Sequence, residues 1–168
     1  VGPMHWTLQP WRLQANAQLG FQGQGWQLRA DGWPWRWRLE VAALGAQATA
    51  QADYRVAGQW QGTLRVQGVG RACRASEGRI TVSDLALSEP WSLSLGQGWV
   101  ELDCHNGWRL HGQLAQQGQH QLTGDADLLG RRAQVAFELQ PEAALTPLLR
   151  GAQWLGAQAA SGQRDLRW

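Results

Sequence analysis

Apolar and polar residues alternate with a period of two along most of the chain. The clearest run covers residues 35–41, where Trp, Trp, Leu and Val alternate with Arg, Arg and Glu. Successive side chains of a strand point to opposite faces, so such a run forms a strand with one apolar and one polar face. The pattern therefore predicts a mainly β protein. Further runs of this kind lie at 6–13, 60–66, 80–87, 91–95, 100–104, 108–114, 120–122 and 133–139.

Short turn signals separate these runs. The strongest is Asn106-Gly107, because a type I′ hairpin turn needs positive φ at both central residues. Gln117-Gly118 and Gly130-Arg131 are weaker signals of the same kind. Strands that follow one another every roughly eight to twelve residues, with turns between them, indicate an antiparallel meander. We therefore expect a single curved antiparallel sheet, either a meander or a partly open, barrel-like sheet.

Two local irregularities interrupt the alternation. The apolar phase slips by one position after Val82, which predicts a β-bulge near Ser83-Asp84. The segment Gly96-Gln97-Gly98 predicts that one strand ends at Leu95 and that the next begins near Val100.

A segment near the C-terminus has helical spacing instead. Thr146 is a suitable N-cap, Pro147 suits the first helical position, and Gly156 suits the position after the helix. These signals predict one short helix near 147–155. One helix can cover only part of such a sheet, so we expect a partly exposed, concave apolar face. The apolar positions of the helix are Leu148, Leu149, Ala152 and Leu155.

The composition fits one globular domain with a weakly charged surface. The chain has 168 residues, of which 43% are hydrophobic and only 17% charged. The net charge is +2, and every basic side chain other than His is Arg. Binding to phosphates needs clustered cations on one face, whereas these Arg residues are scattered and only Arg131-Arg132 are adjacent. The sequence therefore predicts no nucleic-acid partner.

The two cysteines, Cys73 and Cys104, are too far apart for a C-x-x-C motif. A zinc ribbon or a thioredoxin-type site is therefore not expected. An even count with wide spacing permits one disulfide, which would stabilise the fold by roughly 3–4 kcal/mol and would require an oxidising compartment. Two buried free thiols are the alternative, and we expect the disulfide between Cys73 and Cys104.

Residues for catalysis or metal binding are sparse. His105 and His111 lie near Cys104, but no further Cys or carboxylate follows at metal-ligand spacing. Asp125 and Asp127 share one face of a predicted strand, in a turn-rich segment where solvated Asp is ordinary. No G-x-S-x-G motif or phosphate-binding glycine loop occurs. We therefore expect no catalytic residue, no metal and no cofactor.

Tryptophan is unusually frequent, with 12 Trp against 2 Phe and 1 Tyr. The densest group is Trp33-Pro34-Trp35-Arg36-Trp37, in which an extended strand would place Trp33, Trp35 and Trp37 on one face. If the core covers that face, the three rings are packing residues. If it does not, they form a surface for a partner or a ligand.

Several short segments follow one another along most of the chain: Trp6-x-Leu8-x-Pro10, Gly62-x-Leu64-x-Val66, Gly78-x-Ile80, Cys104-x-x-Gly107 with its hairpin, Leu148-Leu149, Trp154-Leu155-Gly156, Gly162 and a final apolar strand. With these segments in this order, the chain resembles the type II secretion system protein N family. The order of the segments, more than any one of them, carries the resemblance.

The resemblance implies a non-enzymatic accessory component of the bacterial type II secretion apparatus, which exports folded proteins. Family members have an inner-membrane helix followed by a periplasmic β-rich domain. Their expected partners are the outer-membrane secretin or the inner-membrane platform. On this interpretation, residues 1–4 do not belong to the native domain, residues 5–168 form one periplasmic domain of a Gram-negative bacterium, and the N-terminal anchor lies outside this sequence.

Other classes of function compete with this interpretation. The family is similar to AsmA-like proteins, whose curved sheets are linked to lipid handling, so a lipid or hydrophobic-ligand carrier with a concave apolar face is the main alternative. A tryptophan-based carbohydrate-binding module is a further one. An enzyme ranks last, because no convergent set of titratable residues is visible.

Overall fold

The computed structural model describes residues 4–21, 24–46, 56–87, 92–156 and 158–168. Eleven strands form one antiparallel sheet in which spatial order follows chain order, and the sheet does not close into a barrel. The mainly β fold class with one short C-terminal helix is thus confirmed. The strands are β1 Met4–Gln9, β2 Gln14–Phe21, β3 Gln24–Trp33, β4 Arg36–Ala46, β5 Val56–Val69, β6 Ala72–Leu87, β7 Leu93–Asp103, β8 Arg109–Gln116, β9 His120–Asp127, β10 Arg132–Leu139 and β11 Ser161–Arg167, and the helix is α1 Thr146–Gly151.

The strand register collects the apolar positions on one face, which we call the inner face. Val41 of β4 lies opposite Leu28 on one side and Leu64 on the other. The outer face carries the polar positions, where Arg29, Glu40, Arg65 and Glu77 face one another in a row of alternating charge. The inner face comprises Trp26, Leu28, Leu39, Val41, Trp60, Leu64, Val66, Ile80, Val100, Leu110 and Leu122, among others.

The middle of the sheet buries its own inner face by curling. Val66 is only 2% exposed, although the described residues that pack around it belong to the sheet and its turns. Trp37 of β4 stacks on Trp108, which precedes β8, with ring centroids 5.7 Å apart. In a flat sheet β4 and β8 would lie about 19 Å apart, four strand spacings. The stack therefore indicates strong curvature toward the inner face. This first cluster contains Leu64, Val66, Cys73, Ile80, Leu102 and Cys104.

The segment around α1 covers a second part of the inner face. Phe137 of β10 is its most buried side chain, at 1% exposure. Its ring occupies the space above Gly162 of β11, where a Cβ atom would lie 2.6 Å from the ring. The absence of a side chain at position 162 therefore lets the last strand lie against the phenylalanine ring. The second cluster contains Leu93, Phe137, Leu139, Ala143, Leu145 and Leu155.

The helix is shorter than the predicted 147–155. It begins at Thr146, so Leu145 and not Thr146 occupies the N-cap position, and it ends at Gly151. Gln153, with φ at 60°, takes the left-handed conformation that the sequence assigned to Gly156. The early end has a packing reason: Leu155 turns back into the second cluster, and its backbone N–H donates to Leu149 O.

Of the two irregularities predicted near β7, the structure contains one and lacks the other. The bulge near Ser83-Asp84 is confirmed, because the β6–β7 register shifts after Val82 and Asp84 has a φ of 52°. The break at Gly96-Gln97-Gly98 is wrong, since β7 runs through it without interruption. Gly96, with φ at 85°, takes part in the same shift of register, so this glycine bends a strand instead of ending one. Trp91 lies outside the described residues.

The buried His120, at the edge of the second cluster, predicts that the free energy of unfolding depends on pH. Its ring is buried and Nε2 lies 3.2 Å from Leu95 O. Burial, partly offset by this hydrogen bond, lowers the pKa of His120 below its ordinary 6.5. The unfolded chain then binds more protons than the folded one below about pH 6.5, so the free energy of unfolding falls as the pH drops through this window.

We therefore expect less stability at about pH 5.5 than at about pH 7.5 in urea unfolding, and a smaller difference in His120→Gln, which has no ionisable side chain at this site. His5→Gln, on the exposed surface of β1, is the matched control and should keep the wild-type difference. An unchanged pH dependence in His120→Gln would contradict this assignment.

Candidate interaction surfaces

The turns that follow the odd-numbered strands all lie at one end of the meander, together with the end of β11. We call this end the turn rim. It consists of residues 10–13, 33–36, 69–72, 104–108, 128–132 and 167–168.

Hydrogen bonds connect neighbouring turns of the rim into a chain. They therefore hold the turns in a fixed arrangement along the whole rim. The bonds run from Gly32 N to Leu13 O at 3.1 Å, Gly70 N to Pro34 O at 3.0 Å, Trp108 Nε1 to Arg71 O at 2.9 Å, Leu128 N to Trp108 O at 3.0 Å and Trp168 N to Arg131 O at 3.4 Å.

A disulfide joins Cys73, which follows the rim segment 69–72, to Cys104, the first residue of the rim segment 104–108, with Cα atoms 5.2 Å apart. The described β6–β7 pairs begin at Ile80 and Val100 and run away from the rim. Between that first pair and the rim, side chains connect the two strands: the disulfide itself, and a 2.5 Å hydrogen bond from Ser76 Oγ to Leu102 O. The covalent bridge therefore holds β6 and β7 together near their turns.

The prediction that Trp33, Trp35 and Trp37 share one face of one strand is wrong. Trp33 ends β3, Trp35 lies in the turn and Trp37 lies in β4. Trp33 and Trp35 are exposed and stack on each other, with centroids 4.9 Å apart. Pro34 explains the difference, because its fixed φ suits a turn.

Trp37 belongs to the inner face and has two partners there. Its ring stacks on Trp108, and its Nε1 donates to Gly70 O at 2.8 Å. The ring lies over Gly68, where any Cβ atom would overlap it. The three residues thus divide into an exposed pair on the rim and one packing residue, which combines the two interpretations left open by the sequence.

The sequence interpretation missed most of the rim. Trp11, Leu128, Leu129 and Trp168 are also exposed there. A signal was present: apolar residues stand beside arginine at turn after turn, as in Trp11-Arg12, Trp35-Arg36 and Arg167-Trp168. Only the meander topology shows that these separate dipeptides lie at one end of the sheet.

Both outer strands have a free edge within the described residues, but the two edges differ. On β1, Trp6 is 68% and Leu8 58% exposed, and the strand has no Asp, Glu or Arg. On β11, Arg164, Asp165 and Arg167 place charges along the edge. Charged side chains on an edge strand discourage pairing with other chains, so β11 is protected and β1 is not.

Two aspartates of the outer face, Asp125 and Asp127, form structural ion pairs. Asp125 accepts from Arg109 at 3.0 Å and lies 2.9 Å from His111 Nδ1. Asp127 accepts from Gly130 N, which together with Arg132 lowers the pKa of this carboxyl. Each carboxylate therefore has cationic or backbone partners of its own. Among the described residues, no group of three or more His, Cys, Asp or Glu could hold a metal ion.

The pKa of Asp103 is lowered mainly by the backbone N–H of His105, whose Nδ1 also lies 2.5 Å from the carboxylate. Asp103 is therefore engaged within the β7–β8 turn.

An apolar cleft of about 820 Å³ lies between β7 and α1. Leu93, Pro147 and Leu148 are among its lining residues. The outer face has a more polar groove of about 440 Å³ near Trp99. There the Arg79 guanidinium lies 4.1 Å from the centre of the Trp99 ring, so one face of this indole already has a cation–π partner.

No family model, curated protein or solved structure matches this chain. None of the helices in the described ranges has the length and apolar character needed to cross a membrane.

The different roles of Trp35 and Trp37 can be tested by unfolding. We expect Trp37→Ala to lower the free energy of unfolding by about 2–4 kcal/mol, because it removes a packed ring and an indole donor. Trp35→Ala, in the same hairpin, should cost less than about 1.5 kcal/mol, since it removes an exposed ring and one stacking contact. Equal losses in urea unfolding would show that this division is wrong.

Proposed function

We propose that the chain is a non-enzymatic accessory component of a bacterial type II secretion system, located in the periplasm. It acts through protein–protein contacts with the secretin or the inner-membrane platform during export of folded proteins. The resemblance of the ordered segments supports this proposal, and a disulfide-bonded β domain is compatible with an oxidising compartment.

The proposed mode of interaction rests on one observation, the unprotected edge of β1. An exposed sheet edge offers unpaired backbone N–H and C=O groups, to which a partner's extended segment can add as a further strand. Such a segment would also cover Trp6 and Leu8, which are exposed on the inner-face side of β1. Backbone pairing would supply affinity, and these two side chains would help set the register.

The edge can be tested with purified periplasmic domains of the secretin and of the platform proteins. We expect binding by one of them, and a loss of at least about tenfold in affinity for Trp6→Lys combined with Leu8→Lys, because lysines on an edge strand oppose strand addition. Both positions are exposed, so the stability should change little. Gln163→Lys, an exposed position on β11, is the matched control and should bind as wild type.

Two results would count against the proposal. If none of the secretion-system domains binds, the assignment to this apparatus fails. If one binds and the β11 control alone weakens the complex, the assignment stands and β1 is the wrong edge.

The cleft beside α1 favours a second candidate, a carrier of lipid or another hydrophobic ligand. Its lining is largely apolar, and its volume lies within the range of small-molecule sites. An organic extract of protein expressed in bacteria would then contain lipid, and less of it for Leu148→Gln, which places an amide in the cleft. An extract without lipid would remove this candidate.

A further inference from the structure

The turn rim combines exposed apolar side chains with arginine. Trp11, the most exposed, is 80% accessible, and Trp33, Trp35 and Trp168 are also exposed. The aliphatic rim residues Val69, Leu128 and Leu129 are exposed as well. Apart from Leu44 near the opposite end, and Trp6 and Leu8 on β1, all the exposed large hydrophobic residues of the described ranges belong to the rim.

The charge of the rim is positive. The residues that form it contain six arginines and no Asp or Glu: Arg12, Arg36, Arg71, Arg131, Arg132 and Arg167.

The carboxylates next to the rim in sequence have partners of their own, as Asp31 has in Arg38 and Asp165 in Gln134. Asp103 faces His105, and Asp127 accepts hydrogen bonds from Gly130 N and Arg132. Among the described ion pairs, Arg132 is the only one of the six rim arginines that takes part. The others leave their charge available to an anionic partner.

We propose that the turn rim binds the surface of an anionic phospholipid bilayer. Tryptophan is the side chain most suited to the headgroup region, where its ring is partly buried and its N–H stays hydrated. Arginine adds attraction to anionic headgroups. The hydrogen bonds between turns fix the tips in advance, so less conformational entropy is lost on binding.

The arrangement favours a bilayer over other anionic partners. The apolar side chains stand on separate turns, and a fluid lipid surface accommodates separate tips more easily than a protein surface of fixed shape. Single-stranded nucleic acid would use the indoles for base stacking. It would leave Val69, Leu128 and Leu129 without a role.

Vesicle flotation tests the proposal with the whole chain. We expect the protein to float with vesicles of phosphatidylcholine and phosphatidylglycerol, to bind less at high salt, and to bind weakly to phosphatidylcholine alone. Trp11→Ser combined with Trp35→Ser should reduce binding at least about tenfold, since two interfacial indoles are lost. Arg12→Gln combined with Arg71→Gln should reduce it about fivefold per arginine at low salt.

Matched controls lie at the opposite end of the sheet. Leu44→Ser removes an exposed apolar side chain there, and Arg150→Gln an exposed arginine of α1. Both should bind vesicles as wild type. The β1 variant Trp6→Lys with Leu8→Lys should also keep vesicle binding, so this proposal and the proposed secretion role can fail separately.

Three results would overturn the proposal. One is no flotation with anionic vesicles at low salt. Another is flotation that the rim variants and the controls reduce equally. The third is binding of a single-stranded oligonucleotide, or self-association in light scattering, that the rim variants abolish while vesicles are not bound.

Discussion

The structure depends on how a single antiparallel sheet removes its apolar face from water. Eleven strands place their apolar positions on one side, and within the described residues only the short segment around α1 packs there as a covering layer. The remaining strands bury that face by curling, so that β4 and the β7–β8 turn meet across the interior through Trp37 and Trp108. Burial of apolar area drives this curvature, and the disulfide and the two indole hydrogen bonds hold it at the rim.

Because the sheet curls without closing, its two edges and the turns at its end remain exposed. An open sheet retains two edges, of which β11 is charged and β1 is not. The same meander places half of its turns at one end, where the chain carries exposed indoles and arginines. Edge and rim are separate surfaces, so a domain of this design could hold a protein partner and a lipid surface at once. On the outer face, by contrast, several charges are already paired across strands, such as Arg65 with Glu40.

Alternation of period two was enough to predict the fold class, because it depends only on one buried face per strand. The bulge at Ser83-Asp84 was predictable for the same reason, as a shift of phase. The glycines of β7 were misinterpreted, since a positive φ serves a bulge as well as a turn. The α1 segment ended early because Leu155 packs in the second cluster. Tertiary contacts of this kind leave no local signal.

The surfaces were harder to predict than the fold. Trp33, Trp35 and Trp37 were recognised as unusual, but the chain turns at Pro34, so that Trp33 ends β3, Trp35 lies in the turn and only Trp37 lies on the inner face. The hydrogen bonds between turns join residues such as Pro34 and Gly70, or Arg71 and Trp108, that are far apart in sequence. Their proximity follows from the topology and could not be derived from spacing.

The central claim is that the disulfide and the indole hydrogen bonds maintain the curvature of the sheet. Hydrogen exchange of the amide and indole N–H groups, measured in the oxidised and in the reduced protein, tests this claim most directly. The account predicts that reduction exposes the β5–β6 and β7–β8 turns and the indole N–H groups of Trp37 and Trp108 first, while β9 and β10 stay protected. Unchanged protection at these turns and indoles, with loss elsewhere, would contradict it.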